Sequence, residues 1–503
     1  MISFLYTFIS GLLYSLSFPN ASLWYLSFIS LVPFFYALDK SKHVWQRLIY
    51  GGLWAVIVSG TMGHWMFIAL CRHYGLEWAK AGLFFSICLV LPLAAIYGIF
   101  SVAYGYLKRD RLVFYAAVIP SLWVAAEFLK ESIPVLIPWG NIAYAVFPFK
   151  SFVQAADLAG VYGLTFLVVM VNGLLFILIK DIRDKGAGWR RIAGVVCLAA
   201  VIFSGVIGYG RLRVSDIRAV EEDTKKVSVT LVQGNFSLED RWSGMGFYNR
   251  VQTYLSMSQG KGGEDGPRII VWPETTLNSS SRVDRAFFKS LMRAIGPDAL
   301  LVSGGLKQLE AGGVYNSAYF ISGSGRLQRY DKHILLPYAE TVPLVDWLDG
   351  FYTAPDEFIK GRSPLCFDTL PGRVSTSICF EILYPAYIRQ MMKQGAEVLI
   401  NISNDAWFGE SAMPHMHLDA ARMRAVEHRR YVLRASNSGI SAIIAPDGRI
   451  VGRSRLFQRE KISGICRMPD QETIYTKYGN WVLYLTAAVL ALACLRQIFN
   501  GER

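Results

Sequence analysis

The sequence has seven cysteines but no Cys-x-x-Cys pair and no Cys/His spacing suited to zinc. That pattern excludes a familiar structural zinc site, and no metal or other cofactor is expected. There is no GxxxxGK[ST] stretch, so an ATP-driven step has no phosphate cradle. The N-terminus lacks a basic n-region and an A-x-A cleavage site, so its apolar start reads as a retained span. Charge is also sparse. Only 18% of the 503 residues are Asp, Glu, Lys or Arg, 53% are hydrophobic, and mean hydropathy is +0.32. A soluble enzyme of this length is less apolar.

The formal net charge is +13. Such a balance fits nucleic acid, anionic lipid, or cationic loops beside membrane spans, and the position of the charges decides. Residues 1–210 are a succession of apolar runs, with spans expected near 2–18, 22–38, 50–70, 81–107, 112–129, 161–179 and 192–210. Another run, Trp481–Leu495, precedes a basic tail. Lys40, Lys42 and Arg47, then Lys108, Arg109 and Arg111, then Lys180, Arg183, Lys185, Arg190 and Arg191 fall in alternate loops. The intervening loops are poorer in Lys and Arg, so the rich loops read as cytoplasmic. Residues 211–478 then face the periplasm or exterior, and residues 479–503 form a last span and a cytoplasmic tail. The charge is explained by topology, and nucleic acid is not an expected partner. The exterior segment 131–160 is apolar and aromatic but broken by prolines. It reads either as an interfacial segment with Trp139 and Tyr144 at headgroup depth or as a loop packed on the domain.

Residues 211–478 change character. Short β-like runs at 226–235, 268–274, 299–306, 314–322, 373–381, 396–405 and 438–454 alternate with helical patterns at 285–296 and 416–436. That alternation argues for a layered α/β domain, and Asp447-Gly448 between β runs marks a hairpin turn. Three strand ends carry reactive groups: Glu274, Cys379, and Asn404-Asp405. Each has a plain reading. A free cysteine is commonly a small buried hydrophobe. A Glu after Pro often begins a helix. Lys332 could lie along apolar surface with its charge in water. Together they read as chemistry. A thiol must be deprotonated to attack, a neighbouring base takes its proton, and the resulting oxyanion needs a cation or aimed N–H groups. Glu, Lys and Cys supply base, cation and nucleophile.

The motifs WPE at 272–274, YDK at 330–332, and ICFE at 378–381 followed by NISNDAWFG at 401–409 resemble the Glu–Lys–Cys set of the nitrilase superfamily. With the multi-span N-terminus, the C-terminal span, VQGNFSLEDRW at 232–242 and PHMHLDAARMRAVEHRRYVLRASNSG at 414–439, the whole chain resembles the apolipoprotein N-acyltransferase family. The resemblance implies a polytopic α-helical membrane domain joined to an αββα nitrilase-like sandwich on the periplasmic side of a bacterial inner membrane. It implies acyl transfer from a phospholipid to the α-amine of the S-diacylglyceryl-cysteine of an apolipoprotein, through a cysteine thioester, by a monomer among membrane lipids. Glu274 is then the general base, Lys332 the oxyanion stabiliser and Cys379 the nucleophile. Glu340 and Glu381 match further active-site glutamates, Phe380 supplies a backbone N–H, Trp242 and Trp407 match tryptophans near the substrate entrance, and Asn235 and Asn404 match substrate-binding positions. The stretch 339–362 and the surroundings of Trp407 are candidate lids. The lysine motif departs from the family's usual K-x-H-L-V-P-F-G-E: it reads KHILLPYAE, with Ile334 in the usual His place and Ala339 for Gly. Phe380 stands where Tyr is common.

Two other readings use the same features. A tethered amidase of the nitrilase type would need the triad but only one span. A transporter with an inactive enzyme fold would not need an intact Glu274, Lys332 and Cys379, and His64 and Glu127 are weak evidence for an ion path.

Overall fold

The computed structural model describes residues 1–19, 23–108, 111–183, 189–237, 244–259, 266–277, 284–310, 312–341 and 358–501. The chain divides into two compact units, Met1–Val214 with Tyr478–Arg503, and Ser215–Lys477.

The first unit is helical. Among the described residues, four helices are long and apolar enough to cross a membrane: Trp78–Leu107, Ala156–Arg183, Ile192–Ala219 and Trp481–Phe499. The pair Val44–Met62 and His64–His73, bent by 51°, makes a fifth if counted as one span. The remaining expected spans are not single long helices. Ile2–Leu16 has 15 residues, about 22 Å at the helical rise and short of a ~30 Å hydrocarbon core. The expected 22–38 span is a 3₁₀ turn at Trp24–Phe28 and a nine-residue helix at Val32–Lys40 that starts at a proline. Around 112–129 a π turn at Phe114–Val118 leads into Ile119–Ser132, which carries Glu127 and Lys130 on its buried face. An aromatic core joins these pieces. Trp54 meets Tyr14, Phe34, Tyr97 and Trp123 at ring separations of 4.7–5.7 Å. The helices at 44–62 and 91–107 approach closely because Gly51 has no side chain; a Cβ there would lie 2.2 Å from the Tyr97 carbonyl oxygen.

Much of the 131–160 segment packs within this unit, with residues 141–147 buried. Tyr144 is buried. Asn141 Oδ1 caps the short helix Ile142–Ala145 by accepting from Ala143 N and also accepts from the Thr165 hydroxyl. These bonds satisfy backbone that prolines keep out of a longer helix.

The second unit is a four-layer sandwich. One sheet has the order β12-β1-β2-β3-β4-β5 and the other β11-β10-β9-β8-β7-β6. The strands are β1 Lys226–Gln233, β2 Arg268–Leu277, β3 Ala299–Gln308, β4 Val314–Ser322, β5 Leu327–Asp331, β6 Cys366–Asp368, β7 Arg373–Ile378, β8 Val398–Ser403, β9 Tyr431–Ser436, β10 Ala442–Ile444, β11 Ile450–Arg453 and β12 Glu460–Arg467. In each sheet three central strands are parallel, β1-β2-β3 and β7-β8-β9, and the outer pairings are antiparallel. The central strands are buried nearly throughout, as strands covered on both faces are. Strands β8 and β9 pack on β2. Helices Gly244–Ser258 and Arg285–Ile295 cover the first sheet, and Pro385–Lys393 and Met413–His428 cover the second. Asp447-Gly448 does turn the β10–β11 hairpin, with Gly448 at φ +79°.

The helical pattern expected over 416–436 stops early. The helix ends at His428, Arg429 takes a left-handed φ of +52°, and Tyr431–Ser436 is strand β9. YVLRAS is buried on both faces, and such an apolar run fits strand or helix equally by periodicity. Cys366 and Cys466 are both free thiols.

Candidate active site

Cys379 follows the end of β7 and begins a 3₁₀ turn, Cys379–Leu383. Its φ is +54°, a left-handed conformation costing of order 1 kcal/mol for a residue with a Cβ. Glu381 holds the turn. It accepts from Ile378 N at 2.8 Å, from the Tyr330 hydroxyl at 2.8 Å, and from His333 N and Ile334 N at 2.8 and 3.0 Å. One fully buried carboxyl thus ties the cysteine turn to the chain just after Lys332. Burial pushes that carboxyl up to about 7, against the pull of the Ile378 and Ile334 N–H groups. The Cys379 thiol is itself buried. Burial and then the charge of Glu274 push it well above the usual thiol range, while Lys332 pulls the other way. It is a thiol at neutral pH and needs a base before it can attack.

Lys332 follows β5 and is 1% exposed, which excludes the surface reading. Its ammonium lies 2.8 Å from Glu340 and 3.5 Å from Glu274. Burial alone would lower its pKa; Glu340 first, then Glu274, reverse this and keep it charged. Asn316, in β4, donates one amide hydrogen to Glu274 at 2.8 Å and the other to Glu340 at 2.7 Å, while its backbone carbonyl accepts from Lys332 N at 2.8 Å. Glu340 also accepts from Leu336 N at 2.8 Å. Glu274 sits in β2 rather than at a helix start, in a local break of register. Trp272 pairs with Ser303 and Leu277 with Gly305, leaving residues 273–276 opposite Gly304 alone. A Cβ on Gly304 would lie 2.5 Å from the Glu274 Cα.

The other expected residues have contacts of their own. The Lys332 ammonium sits 5.2 Å from the centroid of the buried Phe380 ring, a cation–π contact. Asn235 donates to the Phe457 carbonyl at 2.7 Å, and Asn404 caps the turn Asp405–Phe408. Both meet Asn437, which accepts from Asn235 N through its carbonyl and donates to Asn404 Oδ1 at 3.4 Å. Trp407 is half-buried on that turn. Trp242 and most of the candidate lid, 342–357, lie outside the described residues. Sequence reasoning missed Asn316, Tyr330, Asn401, Ser403, His417 and Arg434. The available signal was a polar residue inside an otherwise apolar strand, as with Asn316, since buried polar groups need partners.

Residues 228–467 match the family model for carbon-nitrogen hydrolases, and residues 10–174 match the apolipoprotein N-acyltransferase N-terminal domain. Among solved structures, Nit3 of Saccharomyces cerevisiae, a member of branch 10 of the nitrilase superfamily, is similar over 48% of this chain and 90% of its own, at 18% identity and a TM-score of 0.39. Residues 228–467 thus form a nitrilase-like carbon-nitrogen hydrolase domain, beside a helical region whose apolar helices are consistent with a membrane domain. An apolipoprotein N-acyltransferase of Geobacter metallireducens is 29% identical, aligned over 98% of this chain and 95% of its own length. Another, of Haemophilus influenzae, is 28% identical over 97% and 94%. The chain is thus similar over nearly its whole length to apolipoprotein N-acyltransferases.

Proposed function

We infer that this protein N-acylates lipoproteins, moving an acyl chain from a phospholipid to the α-amine of an S-diacylglyceryl-cysteine through a thioester on Cys379. The observation that carries the reading is the buried cluster of Lys332, Glu274 and Glu340, bridged by the Asn316 amide, together with the strained backbone of the buried Cys379. Glu274 takes the thiol proton as the sulfur attacks the ester carbonyl. Lys332 and the Phe380 N–H hold the oxyanion. The intermediate collapses, the lysophospholipid oxygen leaves with the proton from Glu274, and the thioester remains. The lipoprotein amine then attacks, Glu274 takes its proton, the amide forms, and the cysteine sulfur departs and is reprotonated. Dividing one hard transfer into two is what covalent catalysis contributes. Glu340 holds the Lys332 ammonium, and Asn316 bridges Glu340 to Glu274, which orients the base beside the cation. Trp242, Trp407, Asn235 and Asn404 are assigned to substrate binding on the motifs they share with the family.

Residues 211–478 form the catalytic domain on the periplasmic side of the inner membrane, between the 1–210 membrane domain and the 479–503 span and tail. One observation supports the alternation behind this orientation. Asp39 is paired with both Lys108 and Lys180, and Arg183 with Tyr36. These residues come from three Lys/Arg-rich loop regions, which therefore share one end of the helical unit. The protein acts as a monomer, with its substrates presented from the bilayer.

The test is steady-state kinetics with phospholipid and a diacylglyceryl-cysteine peptide both varied. Parallel double-reciprocal lines, with lysophospholipid released from phospholipid alone, are expected. Intersecting lines, and no lysophospholipid without the peptide, would sink the thioester route. Turnover of small amides with no lipid cleavage would instead favour an amidase.

A further inference from the structure

The Cys379 backbone carbonyl meets a fully buried polar group that the two chemical steps do not use. The Cys379 carbonyl oxygen accepts from Asn401 Nδ2 and from His417 Nε2, each at 3.1 Å. A carbonyl has two lone pairs, and both are taken. His417 must therefore carry its hydrogen on Nε2. Its Nδ1 accepts from Arg434 Nη2 at 3.0 Å and lies 3.1 Å from Asp405 Oδ1. Burial and the Arg434 charge, opposed by Asp405, lower the His417 pKa and keep the ring neutral. Arg434 also donates to Asn401 Oδ1, which turns the Asn401 amide so that its NH₂ faces Cys379. Arg434 is anchored by Asp405 at 2.6 Å and by the Ile440 carbonyl at 3.2 Å. One guanidinium thus fixes both the tautomer of His417 and the orientation of Asn401.

The gripped carbonyl belongs to the same peptide unit as the Phe380 N–H. In a trans peptide the two ends point in opposite directions, and the chain has no cis bond among the described residues. Donors on the carbonyl also polarise the unit and strengthen its N–H as a donor. We propose that His417 and Asn401, oriented by Arg434, are positioning residues that aim and polarise the Phe380 N–H as an oxyanion donor. This rests on the thioester reading above, because only a carbonyl substrate generates the oxyanion.

The test compares two reactions of the same thiol in the full-length protein. Alkylation by iodoacetamide needs the sulfur but forms no oxyanion. Acylation by micellar phosphatidylethanolamine and phosphatidylglycerol, followed by intact mass, needs both. His417→Leu should slow acylation by about tenfold or more, without exceeding the ~100–1000-fold loss known for removing an oxyanion donor outright. Alkylation should stay near wild type. His417→Gln, which restores an N–H, should recover much of the acylation rate. Asn401→Ala removes the second donor alone and carries the comparison if His417→Leu does not fold. Unchanged acylation in folded variants overturns the inference, as does a matching fall in both reactions, which marks a merely structural role. A wild-type protein that alkylates but never acylates removes the thioester reading, and this inference with it.

Discussion

Asp405 follows the end of β8 and touches no reacting atom, yet it anchors Arg434, which orients His417 and Asn401. It pairs with Arg434 and accepts from the Ser403 hydroxyl at 2.7 Å. Burial would raise its carboxyl, but Arg434 holds it well below the usual carboxylate range, helped by the Ser403 hydroxyl. The folded value is thus depressed below the unfolded value of about 3.9. As pH falls the unfolded chain takes up the proton first, so this contribution to stability is complete above about pH 5 and lost below it. Thermal unfolding of the solubilised protein between about pH 6 and pH 3 should show a falling midpoint. Asp405→Asn should start lower and fall less steeply. Equal slopes in the two proteins would contradict this account. The same residue shows what sequence leaves out. Asp405 was legible as a polar group at a strand end, but Arg434 lies 29 positions away, in a strand that read as helix.

At the scale of elements, the site depends on two strand ends deforming in particular ways. Strand β7 ends in a left-handed cysteine held by Glu381. Strand β2 breaks register so that Glu274 stands opposite a glycine. Gly304→Ala would drive a Cβ into the Glu274 backbone, with its closest atoms 2.5 and 2.6 Å away. A shift of about 1 Å at a reacting group costs roughly 100-fold in rate. The expected outcome is such a loss of transfer with the fold retained by circular dichroism; wild-type turnover would show that Gly304 does not set the position of Glu274. The β-like runs, the hairpin at Asp447-Gly448 and the motif positions were legible because each is a local pattern. Strands β5, β6 and β12 were not, since short or edge strands carry weak periodicity. The joining of Lys332 to Cys379 through Glu381 could not be read locally either, because it spans 48 residues between His333 and its acceptor.

In the molecule as a whole, two kinds of sequence pattern meet. The apolar runs gave the helical unit its class, but several did not become straight spans, since prolines and buried charges interrupt them. The charge-bearing loops gave a topology whose ends the Asp39 pairs bring together. The sandwich carries Glu274, Lys332 and Cys379, each within a local motif of the sequence. The organisation makes sense if a reactive thioester forms beside a bilayer that delivers both acyl donor and acceptor, with water excluded from it. The most direct measurement is the intact mass of the purified protein after incubation with phospholipid, beside Cys379→Ala. The account predicts a gain of one acyl chain in the wild type, absent in the variant and cleared by a diacylglyceryl-cysteine peptide as the peptide gains that mass. No gain in a folded wild-type protein, or a gain that Cys379→Ala retains, would contradict it.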